Sequence, residues 1–181
     1  MFNRSNGLPR WSIVACCLAL LAGCAGYAGR GLQPEMSTRD DVLAVMGQPA
    51  MSWKDADGSE QLAYPRGPDG PHTYMAWIRP DGRLQKLENV LDQPWFARIE
   101  IGKSDKAAVL RLLGPSNPTW TAFYPARNEL VWEWLFCDEI GHLARFDVLF
   151  DGTSGLVRNT MQREDLRGPD GVAPPCGRTV R

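Results

Sequence analysis

Two stretches of the chain carry apolar residues at helical spacing, and each is bounded by a serine and a glycine. Ser37 and Ser104 precede the stretches, and serine is a preferred N-cap because it accepts a hydrogen bond from the first helical turn. Asp40 follows Ser37 by three residues, which predicts a capping box. Gly47 and Gly114 end the stretches, where glycine favours a left-handed C-terminal residue. One short helix is therefore predicted in each stretch. The apolar positions are Val42, Leu43 and Met46 in the first stretch and Val109, Leu110 and Leu113 in the second.

The two predicted helices belong to an internal duplication. Residues 37–47 align with residues 104–114 at an offset of 67 (104 − 37), and Trp53 aligns with Trp120 at the same offset. Each helix is followed by four strand-like runs separated by turn dipeptides such as Asp81-Gly82. The predicted strands are 50–55, 59–66, 72–79 and 83–90 in the first copy, and 118–124, 129–137, 143–150 and 155–162 in the second.

This pattern predicts an α+β fold of two tandem repeats. Each repeat is a short helix, or a helix pair, packed on a four-stranded antiparallel β-meander. Residues 91–103 join the repeats and are predicted to add a short helical turn through Trp95, Phe96 and Ile99. The predicted boundaries are 36–91 for the first repeat, 92–162 for the second, and 163–181 for a flexible C-terminal tail held only by Cys176.

The start of the second copy carries a family resemblance. It reads Phe96-Ala-Arg-Ile99-Glu-Ile-Gly102-Lys-Ser104, continues through Val109-Leu110 to Gly114-Pro115, and is followed by Trp132-Glu-Trp134. This motif resembles the BamE/SmpA (OmlA) family of outer-membrane lipoproteins, and residues 32–49 match it more loosely. Two such units in tandem also resemble the β-lactamase inhibitor protein. The first resemblance implies an accessory role in outer-membrane β-barrel assembly or envelope integrity. The second implies inhibition of a periplasmic or extracellular enzyme.

Alternation along the strands sorts the predicted sheet faces. In the second copy two continuously apolar faces are expected to cover the helix. They are Leu130, Trp132, Trp134 and Phe136 on one strand, and Ala144, Phe146, Val148 and Phe150 on the next. The opposite face carries Glu133, Arg145 and Asp147, which we expect to meet water or a protein partner.

The same register, transferred to the first copy, places Tyr74, Ala76 and Ile78 on the core face. The opposite face then holds three candidate partner-binding residues, Met75, Trp77 and Arg79. Tryptophan and methionine are frequent contact anchors. The alternative is that Trp77 packs against the other repeat or under a loop.

The N-terminus has the layout of a secretory signal peptide. Arg4 and Arg10 precede a short apolar run, and Leu21-Ala22-Gly23 leads directly to Cys24. This arrangement resembles the lipobox of bacterial lipoproteins, in which the cysteine thiol takes a diacylglycerol and the freed amine takes an acyl chain. The alternatives are a secretory peptide cut near Ala25, or an uncleaved anchor. We expect a signal peptide at 1–23, lipidation at Cys24 and a flexible tether over 24–35. The resemblance places the protein on the periplasmic face of the outer membrane, because Ala25 rather than aspartate follows the cysteine.

The other two cysteines of the mature chain, Cys137 and Cys176, are predicted to form a disulfide in an oxidising compartment. The alternative is two free thiols. The 20 basic and 21 acidic side chains form no basic block, which argues against nucleic acid as a partner. His72 and His142 lie in predicted turns without metal-ligand spacing, and no nucleophile or phosphate-binding motif is present. The sequence therefore favours a non-enzymatic protein-binding module without a cofactor, metal or small-molecule substrate, and with an envelope protein as its partner.

Overall fold

The computed structural model describes residues 28–66 and 70–176, which form an α+β fold with two four-stranded antiparallel sheets. Neighbouring strands in each sheet are consecutive in the chain. The first sheet contains β1 (Met51–Lys54), β2 (Glu60–Pro65), β3 (Thr73–Ile78) and β4 (Leu84–Asn89). The second contains β5 (Ala122–Tyr124), β6 (Glu129–Cys137), β7 (Leu143–Asp151) and β8 (Val157–Glu164). The helices are α1 (Arg39–Met46), α2 (Gln93–Phe96) and α3 (Lys106–Leu113). The predicted signal peptide and Cys24 lie outside the described residues.

Seven of the eight strands lie close to their predicted ranges, and the fifth does not. The predicted strand 118–124 is wrong at its start, because Pro118–Trp120 forms a 3-10 turn and β5 covers only the last three residues. Asn117 explains the turn, since its side chain accepts a hydrogen bond from the backbone N–H of Thr119 at 2.8 Å. The proline at the first position of the turn is also compatible with helical rather than strand geometry.

The helix caps lie one residue after the predicted serines. Thr38 and Asp105 are the N-caps, and Thr38 forms a capping box with Asp41, so the predicted box between Ser37 and Asp40 is wrong. Ser37 and Ser104 have another role. Each side-chain oxygen accepts a hydrogen bond, at 2.9 Å, from the backbone N–H four residues earlier. They fix the loop that leads into the helix rather than the first helical turn.

Gly47 and Gly114 do end α1 and α3, but in a conformation other than the predicted left-handed helical one. Their φ/ψ values are 82°/−162° and 73°/−173°, a region that only glycine occupies readily. Gly114 is also sterically constrained, because a Cβ added there would lie 2.9 Å from Cγ2 of Thr73 in the first sheet. The end of α3 therefore lies directly against β3.

Backbone hydrogen bonds recur in the two halves of the chain. Gly47 donates to Leu43 O and Gly114 donates to Leu110 O. Likewise, the N–H of Ala50 donates to Ala63 O and that of Asn117 donates to Glu133 O. The register of each sheet shifts at one place between its third and fourth strands, at Trp77/Ile78 and at Leu149/Phe150. The two halves thus share their connections and their irregularities.

Two apolar clusters form the core. The smaller one combines Val42 and Met46 of α1 with one face of the first sheet. The larger one spans both halves: Ala63 and Met75, from the opposite face of the first sheet, join α2, α3 and the second sheet. The predicted core face of the second copy is confirmed, with Trp134, Phe136, Ala144, Phe146, Val148 and Phe150 buried and Leu130 and Trp132 packed against them.

Both predicted flexible ends are more ordered than expected over the residues described. The disulfide between Cys137 and Cys176 is present. Residues 165–176 are also held by backbone hydrogen bonds, since Leu143 N–H donates to Pro174 O and Cys176 N–H donates to Gly141 O, both at 2.7 Å. A tail held only by Cys176 is therefore wrong for these residues. The tether prediction is wrong for 28–35, where Gly29 is buried and Leu32 packs against the smaller core cluster.

Candidate partner-binding surface

The three candidate residues of the first half do not form an open surface. Met75 is fully buried in the larger core cluster, so its prediction as a contact residue is wrong. Trp77 is half-buried and stacks on Trp95 of α2, with ring centroids 5.4 Å apart. The alternative reading of Trp77, packing under another part of the chain, is thus the one observed. Arg79 remains partly exposed and forms an ion pair with Glu35.

Cations lie on both sides of this tryptophan pair. Lys86 Nζ lies 4.0 Å from the ring centroid of Trp77, and the Arg98 guanidinium lies 3.9 Å from that of Trp95. A cation over an aromatic face is attracted by the ring quadrupole, and the attraction grows as water is excluded. The stack and its cations therefore join β3 and β4 to α2.

The charged residues predicted to face water or a partner in the second half are buried as well. Glu133, Arg145 and Asp147 are each less than a tenth exposed, so the prediction that they form an accessible surface is wrong. They lie on the predicted face, opposite the core. Glu133 of β6 is paired with Asp147 of β7, and Arg145 lies two residues before Asp147 on the same strand. These side chains are buried because Trp120 and Asp165, from other parts of the chain, contact Arg145 on this face.

An ion-pair network accounts for their burial. Arg145 contacts Glu133 and donates from Nε to Asp165 Oδ1 at 3.0 Å. Arg163 contacts Glu133 and donates from Nε to Asp147 Oδ2 at 3.0 Å. Arg167 adds further hydrogen bonds to Asp165, the shortest at 2.8 Å. Buried charges are tolerated when they are paired and hydrogen-bonded in this way.

Trp120 and the residues after β8 complete the cover. The Trp120 ring centroid lies 4.5 Å from the Arg145 guanidinium and 4.9 Å from that of Arg167. Arg163, Asp165 and Arg167 are not among the residues predicted from the sequence. They alternate in the chain and so continue the strand periodicity beyond the predicted end at residue 162. That alternation was the available signal.

Burial and neighbouring charges set opposite pKa directions within the network. Burial raises the pKa of Glu133, an effect that Arg145 and Arg163 oppose without cancelling and that the neighbouring Asp147 carboxylate reinforces. Burial also acts to raise the pKa of Asp165, but its hydrogen bonds to Arg167 and Arg145 outweigh it, and the pKa lies below the usual range. Asp147 Oδ1 is buried without a hydrogen-bond partner.

We expect Glu133→Gln to change how the free energy of unfolding depends on pH. A carboxyl whose pKa is raised by folding destabilises the native state at neutral pH, and this cost disappears as pH falls through the folded-state pKa. The free energy of unfolding of the wild type should therefore rise relative to that of Glu133→Gln when the pH is lowered from 7 to 5. Urea unfolding at the two pH values measures the difference. Glu129→Gln is the matched control, on the same face of β6 and paired with Arg127 and Arg158. A difference between Glu133→Gln and wild type that stays constant with pH would contradict the raised pKa.

On the face of the second sheet that carries the ion-pair network, the solvent-exposed side chains are basic or apolar. The face is basic because its exposed arginines lie above buried carboxylates. Arg127 and Arg163 are exposed, whereas their partners Glu129 and Glu133 are buried. Met161 is paired with Asp147 across β7 and β8, and it is 44% exposed. We call this layer the outer surface of the second sheet. It comprises Tyr124, Arg127, Val131, Leu149, Met161 and Arg163.

Two concave regions accompany the described residues. A cleft of about 570 Å³ lies beside the network and is lined by Arg145, Arg163, Glu164, Asp165, Leu166 and Arg167. A smaller pocket of about 200 Å³ is lined by Met46, Gln48, Ala50, Tyr64 and Pro65. The hydroxyl of Tyr64 is buried without a hydrogen-bond partner, and burial raises its pKa to about 12.

The two histidines lie in separate parts of the described structure. His72 stacks on Tyr74, and burial lowers its pKa. His142 lies in the hairpin between β6 and β7 and pairs with Pro175. Over residues 28–66 and 70–176 no group of three histidine, cysteine, aspartate or glutamate side chains is placed to hold a metal ion. No helix in the same ranges is long and apolar enough to cross a membrane. No protein-family model, curated protein or solved structure matches the chain.

Proposed function

We propose that the chain consists of two tandem copies of one BamE-like α+β unit, each with a helix packed on its four-stranded sheet. The recurring hydrogen bonds support this. The backbone N–H of Gly47 donates at the end of α1 as that of Gly114 does at the end of α3, and the N–H groups of Ala50 and Asn117 donate to equivalent positions of β2 and β6. The register shift at the same place in both sheets supports it further. Bulges of this kind re-aim a strand and are part of its design, so a shared position favours common descent.

The protein is proposed to be an outer-membrane lipoprotein on the periplasmic face, anchored through acylated Cys24. Its proposed role is that of a non-enzymatic protein-binding module, accessory to outer-membrane β-barrel assembly. The observation that carries the binding role is the arrangement of the two sheets. The face of the first sheet that bears Ala63 and Met75 is covered by the second half. The equivalent face of the second sheet is covered by Trp120 and residues 165–176 only around the ion-pair network.

The outer surface of the second sheet is thus the proposed partner site. By the shared register, Asp147 corresponds to Met75 and Leu149 to Trp77. In the first sheet, Met75 and Trp77 pack against α3 and α2. An apolar segment of a partner would fit the equivalent place on the second sheet, beside Leu149 and Met161. Exposed arginines around an apolar centre are typical of protein interfaces, where arginine and methionine are enriched.

The test is a crosslinking pull-down from intact envelopes, with mass spectrometry of the bound proteins. The forms compared are wild type, Cys24→Ala, Met161→Asp and the control Ile140→Asp, whose side chain is exposed in the hairpin after β6. We expect barrel-assembly subunits with wild type and Ile140→Asp, and their loss with the other two variants. Equal capture by Met161→Asp would exclude this surface. Recovery of a soluble hydrolase with both wild type and Cys24→Ala would instead identify the protein as an enzyme inhibitor.

A further inference from the structure

The first described residues are fixed to the body of the protein. Leu32 N–H donates to Gly29 O at 3.0 Å, and Glu35 N–H donates to Leu84 O of β4 at 2.8 Å. Gly29 lies so close to Leu87 that an added Cβ would be 2.1 Å from Cδ2 of that side chain. The chain from residue 29 onward is therefore held against the fourth strand of the first sheet.

The proposed lipid site is close to this fixed point in the sequence. Cys24 and Ala28 are four residues apart, and a fully extended chain covers about 14 Å over that distance. The acyl chains on Cys24 would lie in the bilayer, so residue 28 cannot be further than this from the headgroup region. This limit holds for any conformation of residues 25–27.

The surface around this point has features that suit a membrane interface. Met36 is 68% exposed and lies in the turn that precedes α1. Arg83 is exposed and donates from Nη1 to the backbone oxygen of Met36 at 3.2 Å. Among the described residues, neither Arg83 nor the exposed Arg30 forms an ion pair with a carboxylate. Glu35 is the only acidic residue of 28–37, and it is paired with Arg79. The surface beside the anchor therefore includes an exposed apolar side chain and two arginines without a carboxylate partner. The exposed carboxylates of Glu35 and Asp81 next to them both lie beside Arg79.

We propose that Arg30, Met36 and Arg83 form the membrane-facing surface of the anchored protein, with phospholipid headgroups as its occupant. The proposal rests on the lipidation of Cys24 in the proposed function. Met36 enters the boundary between headgroups and acyl chains, where exposed apolar side chains of surface-bound proteins lie. The two arginines contact lipid phosphates. The short connection to the acyl chains keeps this surface at the bilayer, so its intrinsic affinity for lipid need not be high.

The test uses the full-length lipidated protein in vesicles of phosphatidylethanolamine and phosphatidylglycerol that carry spin-labelled lipid. A fluorophore is attached at Met36→Cys in one form and at Ile140→Cys in the other. Ile140 is a matched control, because it is apolar, 77% exposed and located in the second sheet's hairpin. We expect quenching by the spin-labelled lipid to be at least about twofold greater at position 36 than at position 140, because only a side chain at the interface comes near the acyl chains.

The mass of the N-terminal peptide from the same preparation separates the two proposals. Acyl chains on Cys24 with equal quenching at both positions, or stronger quenching at position 140, would overturn the membrane-facing surface and leave the lipoprotein assignment intact. An N-terminal peptide without acyl chains would overturn both. Greater quenching at position 36 that falls when Arg30 and Arg83 are both replaced by glutamate would support the full surface.

Discussion

Replacing Arg145 with alanine should lower the free energy of unfolding by about 3–5 kcal/mol, the range seen when one partner of a buried ion pair is removed. Arg145 joins Glu133 of β6 to Asp165 beyond β8, and both carboxylates are buried. Without the guanidinium, Asp165 retains only Arg167 and Glu133 retains only Arg163. Two acidic groups would then remain buried and incompletely paired. Urea unfolding at pH 7, followed by tryptophan fluorescence, measures the change.

Arg127→Ala is the control for this prediction. Arg127 is 60% exposed, and its partner Glu129 keeps a second arginine, Arg158. Because Arg127 is exposed and Arg158 stays beside Glu129, we expect this pair to contribute about 1 kcal/mol or less. If the two variants lose similar amounts of stability, the network of Arg145 does not have the energetic weight that its burial indicates.

Replacing Phe96 with alanine should lower the free energy of unfolding by about 3–5 kcal/mol, since the change removes a buried aromatic ring and leaves a cavity. Phe96 lies in α2 and stacks on Phe146, with ring centroids 3.8 Å apart. It also meets the edge of Phe136 at 5.0 Å. These contacts fix the segment between the two sheets to the second one. Guanidinium-induced unfolding gives the magnitude.

Phe123→Ala is the matched control for Phe96→Ala, because Phe123 is an aromatic residue of the same size in β5 that is 53% exposed. We expect it to change the free energy of unfolding by about 0.5 kcal/mol or less, as for most surface substitutions. A loss of less than about 1 kcal/mol for Phe96→Ala would show that the core refills the cavity or that α2 contributes little to it.

The strands could be predicted from the sequence because period-two alternation and Asp-Gly turns mark them independently. In β6 and β7 the apolar positions share one face along nine-residue strands, so the register is strongly specified. The helix caps were less determined. Ser37-Thr38 and Ser104-Asp105 each offer two adjacent residues able to cap, and the pattern alone does not choose between them. The two serine side chains accept hydrogen bonds from the preceding loops, so Thr38 and Asp105 cap the helices instead.

The candidate site could be predicted only in part, since alternation assigns a side chain to a face but does not say what covers that face. Alternation places Met75 on the correct side of β3, yet α3, which covers it, starts 31 residues later (106 − 75). Glu133 and Arg145 were also assigned to the correct face. Their burial depends on Asp165, in a segment whose glycine, proline and arginine content is typical of a flexible tail. Long-range contacts of this kind leave no local pattern in the sequence.

The larger core cluster also determines how the fold depends on protein concentration. Ala63 and Met75 come from the first half of the chain, and Val109 and Leu113 come from the second. If the two halves were separate molecules, their association would require a diffusional encounter and would weaken on dilution. Because residues 91–103 join them, each unit meets the other at the effective concentration that a short linker provides, which lies in the millimolar range for flexible linkers. A chain that carries both halves therefore forms its central interface even when only a few copies are present in a cell.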